Sequence, residues 1–209
     1  MKKTLKTAVL LALAMMMGGS VYAQVVETTT YDDGSSYTGQ RNGKGKRDGH
    51  GILNYANGDR YEGEWKKDFQ TGEGTYTFAN GIVYKGTFEK NIAKGHGVIT
   101  MPNGVVIEGE WTNMGNGTGI MTWPDGTRYE GGFINGAPQG QGTKTWPNGD
   151  RYEGNFVQGH MSGQGTLTTT RGVSYTGNWH NDQFEGKGKY VAADGSVMEG
   201  TFHAGKFQN

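Results

Sequence analysis

From about residue 25 to residue 207, apolar and polar side chains alternate in short runs, and each run breaks at a turn dipeptide. In Tyr61-Glu62-Gly63-Glu64-Trp65 the two rings and the glycine fall on one face and the glutamates on the other, because successive side chains of a strand point to opposite sides. In the following run Gly72, Gly74, Tyr76 and Phe78 share a face, and Glu73, Thr75 and Thr77 point away. This two-residue period predicts strands, and no stretch carries a helical one. The breaks are Asp33-Gly34, Asn57-Gly58, Asn80-Gly81, Asn103-Gly104, Asp125-Gly126, Asn148-Gly149, Arg171-Gly172 and Asp194-Gly195. Asn-Gly and Asp-Gly tolerate the positive φ of a tight turn, so each break predicts a hairpin.

The pattern repeats at a fixed period. Tyr37, Tyr61, Tyr84, Ile107, Tyr129, Tyr152, Tyr175 and Met198 follow one another at spacings of 24, 23, 23, 22, 23, 23 and 23 residues. Two residues after each stands a glycine, and four after stands Trp65, Phe88, Trp111, Phe133, Phe156, Trp179 or Phe202, with Arg41 in the first copy. A Gly-x-Gly lies upstream of every turn after the first, beginning at Gly49, Gly72, Gly95, Gly117, Gly140, Gly163 and Gly186. Each unit therefore reads as a strand, a tight turn, a second strand and a polar link to the next. Such self-similarity is the mark of a repeat protein whose units contact only their neighbours. The expected fold is all-β, an elongated single-sheet array of tandem antiparallel hairpins with about sixteen strands. Glycines on the ring-bearing face leave room for rings to lie against backbone.

At Tyr61-Glu62-Gly63-Glu64-Trp65 followed by Gly72-x-Gly74, the unit resembles the MORN repeat (membrane occupation and recognition nexus). The resemblance runs over about residues 25 to 207. It implies a β-hairpin array acting as a scaffold or interaction surface, sometimes joined to enzymatic domains and sometimes credited with binding phospholipid headgroups. Arg41 for the aromatic, Ile107 and Met198 for the tyrosine, and Thr38, Lys85 and Thr176 for the glutamate depart from the pattern.

Composition narrows the function classes. Lys2, Lys3 and Lys6 precede an apolar run from Ala8 to Met17, which breaks at Gly18-Gly19-Ser20 and reaches Val21-Tyr22-Ala23. The segment has the form of a secretory signal cleaved after Ala23, and its apolar run is about half the roughly 20 residues a spanning helix needs. The expected organisation is a signal over residues 1–23 and an array of eight hairpins over residues 24–209, periplasmic or secreted. Without the leader, 17 Lys and Arg face 20 Asp and Glu, a net charge of −3, which does not favour nucleic acid. There is no cysteine.

Chemistry is sought in residues that depart from the repeat. The Gly-x-Gly pairs lead into strands, whereas a phosphate loop opens a helix. His50 and His96 occupy equivalent positions, and the nearest such rows lie roughly 9–10 Å apart, too far to share one zinc whose ligands sit near 2 Å. Glu62, Glu108, Glu130, Glu153 and Glu199 recur in unit after unit, which suits solubility and cross-strand pairing with Arg60, Arg128 and Arg151 better than a single catalytic pair. No catalytic residue, metal ligand or cofactor is expected. The residues expected to touch a partner or ligand are the basic link Arg41, Lys44, Lys46 and Arg47, and the exposed part of the ring row, Trp65, Trp111, Trp123, Trp146 and Trp179. The expected role is a non-enzymatic exported scaffold for protein–protein interaction. The alternative is a module binding anionic lipid headgroups or cell-envelope glycans. Open strand edges or the aromatic face predict a homodimer.

Overall fold

The computed structural model describes residues 11–13 and 24–208, and the expected leader lies outside the described residues except for those three. All regular structure in them is β. Backbone contacts divide the chain into two compact units, meeting between Pro102 and Asn103.

The first unit holds β1 (Leu11–Leu13), β2 (Gln24–Thr30), β3 (Ser36–Arg41), β4 (Arg47–Asn54), β5 (Arg60–Lys66), β6 (Phe69–Thr77), β7 (Val83–Glu89) and β8 (Ile92–Thr100). Each pairs antiparallel with the next. The second holds β9 (Val106–Asn113), β10 (Asn116–Thr122), β11 (Arg128–Ile134), β12 (Ala137–Thr145), β13 (Arg151–Val157), β14 (His160–Thr168), β15 (Ser174–His180), β16 (Gln183–Val191), β17 (Val197–His203) and β18 (Lys206–Gln208). It too is a meander of consecutive antiparallel neighbours. Strands β2 to β17 are those the repeat predicts; β1 and the short β18 are additional.

The links between hairpins differ from the expected polar connectors. After β5 the chain reverses in two residues, Lys67 (φ 51°) and Asp68 (φ 77°), and after β7 in Lys90 and Asn91 (φ 50° and 70°). Both central residues at positive φ make these turns as tight as the Asn-Gly ones, with a twist matching that of the strands. They also stack. Asp68 N–H donates to the Arg47 carbonyl at 2.9 Å and Asn91 N–H to that of Gln70 at 3.1 Å. In the second unit Gly136, Gly159, Asp182 and Gly205 do the same to Gly115, Pro138, Met161 and Phe184.

The Gly-x-Gly at Gly72 is a bulge. Gly63 opposes Gly74, but Glu64 opposes Thr71, so Gly72 and Glu73 are extra against β5. Gly72 adopts φ 58°. Extra residues take local backbone groups out of the ladder, and the buried tyrosine answers for one of them. Tyr61 donates to the Glu64 carbonyl at 3.0 Å, and Tyr37, Tyr84, Tyr129, Tyr152 and Tyr175 each donate to the carbonyl three residues on.

Those tyrosines and Ile107 have no exposed surface. Each phenol lies flat over a pair of facing glycines. A Cβ on Gly74 would meet Tyr61 Oη at 2.6 Å, and one on Gly63 would meet the Gly74 Cα at 2.6 Å. Edge-to-face contacts join the rings along each unit: Tyr61 to Trp65 at 5.1 Å and to Phe88 at 5.0 Å, Tyr152 to Phe156 at 5.2 Å and to Trp179 at 5.0 Å. Such pairs contribute about 0.5–1.5 kcal/mol each beyond area burial. This is how a chain poor in aliphatic residues builds a core one ring thick.

Candidate functional site

The basic link divides into two pairs with different tasks. The Arg41 guanidinium lies 4.9 Å from the Tyr37 ring centroid and donates to Gly45 O, Thr29 Oγ1 and Tyr31 Oη. It fills the place that an aromatic ring takes in the later copies. Arg47 stacks on Trp65 at 4.1 Å and binds Asp68 through Nε at 3.5 Å and through its amide at 2.9 Å. Burial alone would raise the Asp68 carboxyl, yet those bonds and the guanidinium hold it below the usual range. Both arginines are thereby committed to the fold.

The lysines are not. Between β3 and β4, Asn42 Oδ1 accepts the N–H groups of Lys44 and Lys46, which shapes the tip of the loop. Lys44, Lys46 and Lys67 line a cleft of about 650 Å³ with Asn42 and Gly43. Lys46 has a long, exposed pairing with Asp68 at 3.7 Å; Lys44 and Lys67 form no ion pair among the described residues. The alternation marks the segment of Lys67 only as polar link, and it is the turn geometry that brings it beside Lys44.

The five tryptophans also separate. Trp65, Trp111 and Trp179 are 3%, 3% and 4% exposed, and the indole N–H groups of Trp65 and Trp179 donate to the carbonyls of Gly51 and Gly165. They are core, which corrects their expected exposure. Trp123 and Trp146 are half-buried, each the first residue of a tight turn, and Lys144 Nζ lies 5.4 and 5.2 Å from their centroids.

Three of the recurring carboxylates pair with the arginine two residues earlier on their own strand, whereas Glu199 reaches Lys189 across the ladder at 3.9 Å. Arg60 meets Glu62 at 2.5 Å, Arg128 meets Glu130 at 2.8 Å and Arg151 meets Glu153 at 2.6 Å, because the register places Asn54 and Thr77 opposite Arg60. Histidines outside the expected ladder find acids, His160 with Asp182 at 2.6 Å and His203 with Glu185 at 3.0 Å. No three metal-ligating side chains cluster among the described residues. Over the polar face of the second unit lies a shallow groove of about 560 Å³, lined by residues including Gln164, Asn178, Lys187 and Glu199.

The family model described as MORN repeat matches residues 43–60, 61–83, 84–106, 108–128, 129–151, 152–173 and 175–197. The chain belongs to the MORN-repeat family. No curated protein sequence matches it. Among solved structures, a mutant TCP10 domain of Danio rerio CPAP is 16% identical over 86% of this chain and 89% of that one, with a TM-score of 0.48. The TCP domain of SAS-4 (dCPAP) of Drosophila melanogaster, in complex with a proline-rich motif of Ana2 (dSTIL), is 12% identical over 85% and 84%, with a TM-score of 0.39.

Within the MORN frame the tyrosine, the paired glycines and the buried indoles are construction, and function is to be sought in what the frame leaves outward. In the first unit Phe69 and Ile92 are 47% and 49% exposed, and in the second Ile134 and Val157 are 54% and 48% exposed. All four flank the two-residue turns. Sequence alternation alone marks them as outward, but only the turn geometry places them at matching hairpin ends.

Proposed function

We propose that the protein is a non-enzymatic, exported scaffold that binds another protein along the two-residue-turn end of its hairpins. Export is supported by the basic, apolar and small-residue order of residues 1–23. The observation that carries the interaction is the recurrence of half-exposed large apolar residues at equivalent places, Phe69 with Ile92 and Ile134 with Val157. Single exposed apolar side chains are ordinary; a pair of them on successive rigid turns within one unit suits a protein contact. The test is crosslinking in the native cell envelope followed by capture of the protein, beside a variant carrying Phe69→Ser and Ile92→Ser. A reproducible protein partner whose yield falls severalfold in the variant is expected. Equal capture by both, or turnover of a substrate by the purified protein that single substitutions abolish, would defeat the proposal.

A second reading rests on the cleft of Lys44, Lys46 and Lys67, which suits an anionic ligand. Each basic residue near an anionic surface contributes about 1 kcal/mol. Retention on phosphatidylglycerol vesicles that weakens with salt and with Lys44→Gln plus Lys67→Gln is expected; retention unchanged by the substitutions speaks against it.

A further inference from the structure

The cluster Trp123, Lys144 and Trp146 is left unexplained by the repeat. Lys144 stands opposite Tyr129 and Tyr152 in the ladders, on the ring-bearing face. The equivalent residue is uncharged in every other hairpin, from Thr29 and Leu53 to Leu167 and Tyr190. A cation at a position otherwise used for packing needs a reason. No carboxylate pairs with it among the described residues, and Asp125, whose carboxyl feels its charge weakly, is turned to the Thr127 N–H at 2.8 Å. The ammonium instead lies between two indole rings, where ring quadrupoles hold a cation without neutralising it.

The rings are one repeat apart, two strand spacings or about 10 Å, which is the length of one disaccharide of an extended β(1→4)-linked chain. Such a chain turns over at each sugar, so the same face returns at every second residue. Two indoles at this spacing therefore meet the apolar faces of alternate sugars, and Lys144 faces the sugar between them. Neither indole N–H has an acceptor among the described residues, unlike those of Trp65 and Trp179, and both are free to donate to hydroxyl or ring oxygens. The backbone at these residues is already used: Trp123 and Trp146 accept from Gly126 and Gly149 and donate to Thr127 and Asp150. A peptide strand would find no main-chain pairing here, whereas a ligand of flat apolar faces, many acceptors and a negative charge finds all it needs.

We infer that Trp123, Lys144 and Trp146 form a binding site for an acidic β(1→4)-linked glycan, with sugars stacked on the two indoles and a carboxylate on the ammonium. The site lies within the second unit and stands independently of the protein-binding surface proposed above.

The test is calorimetric titration of the purified full-length protein with a β(1→4)-glucuronate hexamer and with cellohexaose as its neutral counterpart. The acidic oligomer is expected to bind at least tenfold more tightly, and this preference to shrink with salt. Lys144→Gln should remove the preference and keep cellohexaose binding. Trp123→Ala and Trp146→Ala should each weaken both sugars at least tenfold with the β-sheet circular dichroism unchanged, Trp123→Tyr should restore most of the loss, and Phe69→Ser should have no effect. The inference is overturned if neither sugar binds at millimolar concentration, if binding survives both tryptophan substitutions, or if an acidic proline-rich peptide or phosphatidylglycerol vesicles bind through the same residues and the sugars do not. A protein partner captured at Phe69 and Ile92 would leave that other reading standing in each case.

Discussion

Gly74 occupies a place where a side chain would have to share space with a phenol. A Cβ there would lie 2.6 Å from Tyr61 Oη and 2.7 Å from its Cε2, and the ring cannot retreat because its hydroxyl is bonded to Glu64 O. Gly74→Ala is therefore expected to destabilise by roughly 1–3 kcal/mol, the cost of overpacking. Gly43→Ala, with nothing within 4 Å of the added carbon, should stay within about 0.5 kcal/mol of the parent. Urea denaturation of the two variants side by side checks the contrast, and equal stability would mean that the phenol does not lie on the glycine pair. The same burial has a pH signature. Tyr37, Tyr129 and Tyr152 are pushed up to about 12, first by desolvation, against about 10 in an unfolded chain. Below pH about 10 both states are protonated and the contribution is intact. Between about 10 and 12 the unfolded chain releases protons that the folded one keeps, so stability falls as pH rises. The part of the phenolate absorbance that belongs to these buried tyrosines should therefore rise together with loss of the β-sheet signal. A smooth titration near pH 10 with the sheet intact would contradict this.

At the scale of the element, the two-residue turn is where local conformation and neighbour contact coincide. Asn91 sits at φ 70° while its Oδ1 accepts the Gln70 N–H at 2.7 Å. Asn91→Val forces a β-branched residue into the left-handed region, at about 1–2 kcal/mol, and leaves the Gln70 amide without its partner, at about 1–3 kcal/mol if it stays dry. The melting temperature should fall by several degrees, whereas Asn91→Asp, which keeps the acceptor, should cost little. The sequence carries no local signal for this turn. Asn57-Gly58 announces itself because both residue types are turn formers, but Lys67-Asp68 and Lys90-Asn91 put lysine where glycine or asparagine is usual, and only the stacking of turn on turn makes that conformation worthwhile. The strands, their two faces and the ring-on-glycine core followed from alternation and period. Hidden from sequence were the bulge at Gly72, which shifts register without changing the pattern, and the sorting of five tryptophans into three buried and two half-exposed. Trp123 and Trp146 stand two residues beyond the strand's packing position, where burial depends on what lies alongside; there it is Lys144, and no periodicity announces a cation between indoles. Lys44 and Lys67 likewise meet only because a loop and a turn from adjacent hairpins share one end of the sheet.

At the scale of the molecule, each unit is a meander in which strands hydrogen-bond to their sequence neighbours and rings reach the next hairpin, so damage should stay local. Tyr152→Ala removes a fully buried ring at a cost of about 3–5 kcal/mol by analogy with other aromatic truncations. Hydrogen exchange is expected to show lost protection in β12 to β15, while the amides of β4 to β7, whose ladders run through none of those residues, keep theirs; uniform loss along the chain would show one cooperative block instead. The stacked turns carry a consequence for how such a chain changes over generations. Six of the two-residue turns donate to a carbonyl of the previous hairpin twenty-one residues back, and a one-residue slip would carry each strand's rings to the opposite face. Removing or adding one residue inside a strand therefore turns the rings beyond it to the wrong face, and the 22- and 24-residue spacings keep their change to the links, while cutting out or duplicating one whole 23-residue period rejoins equivalent positions. Whole periods anywhere, and single residues only in the links, are the changes this architecture absorbs with its contacts intact.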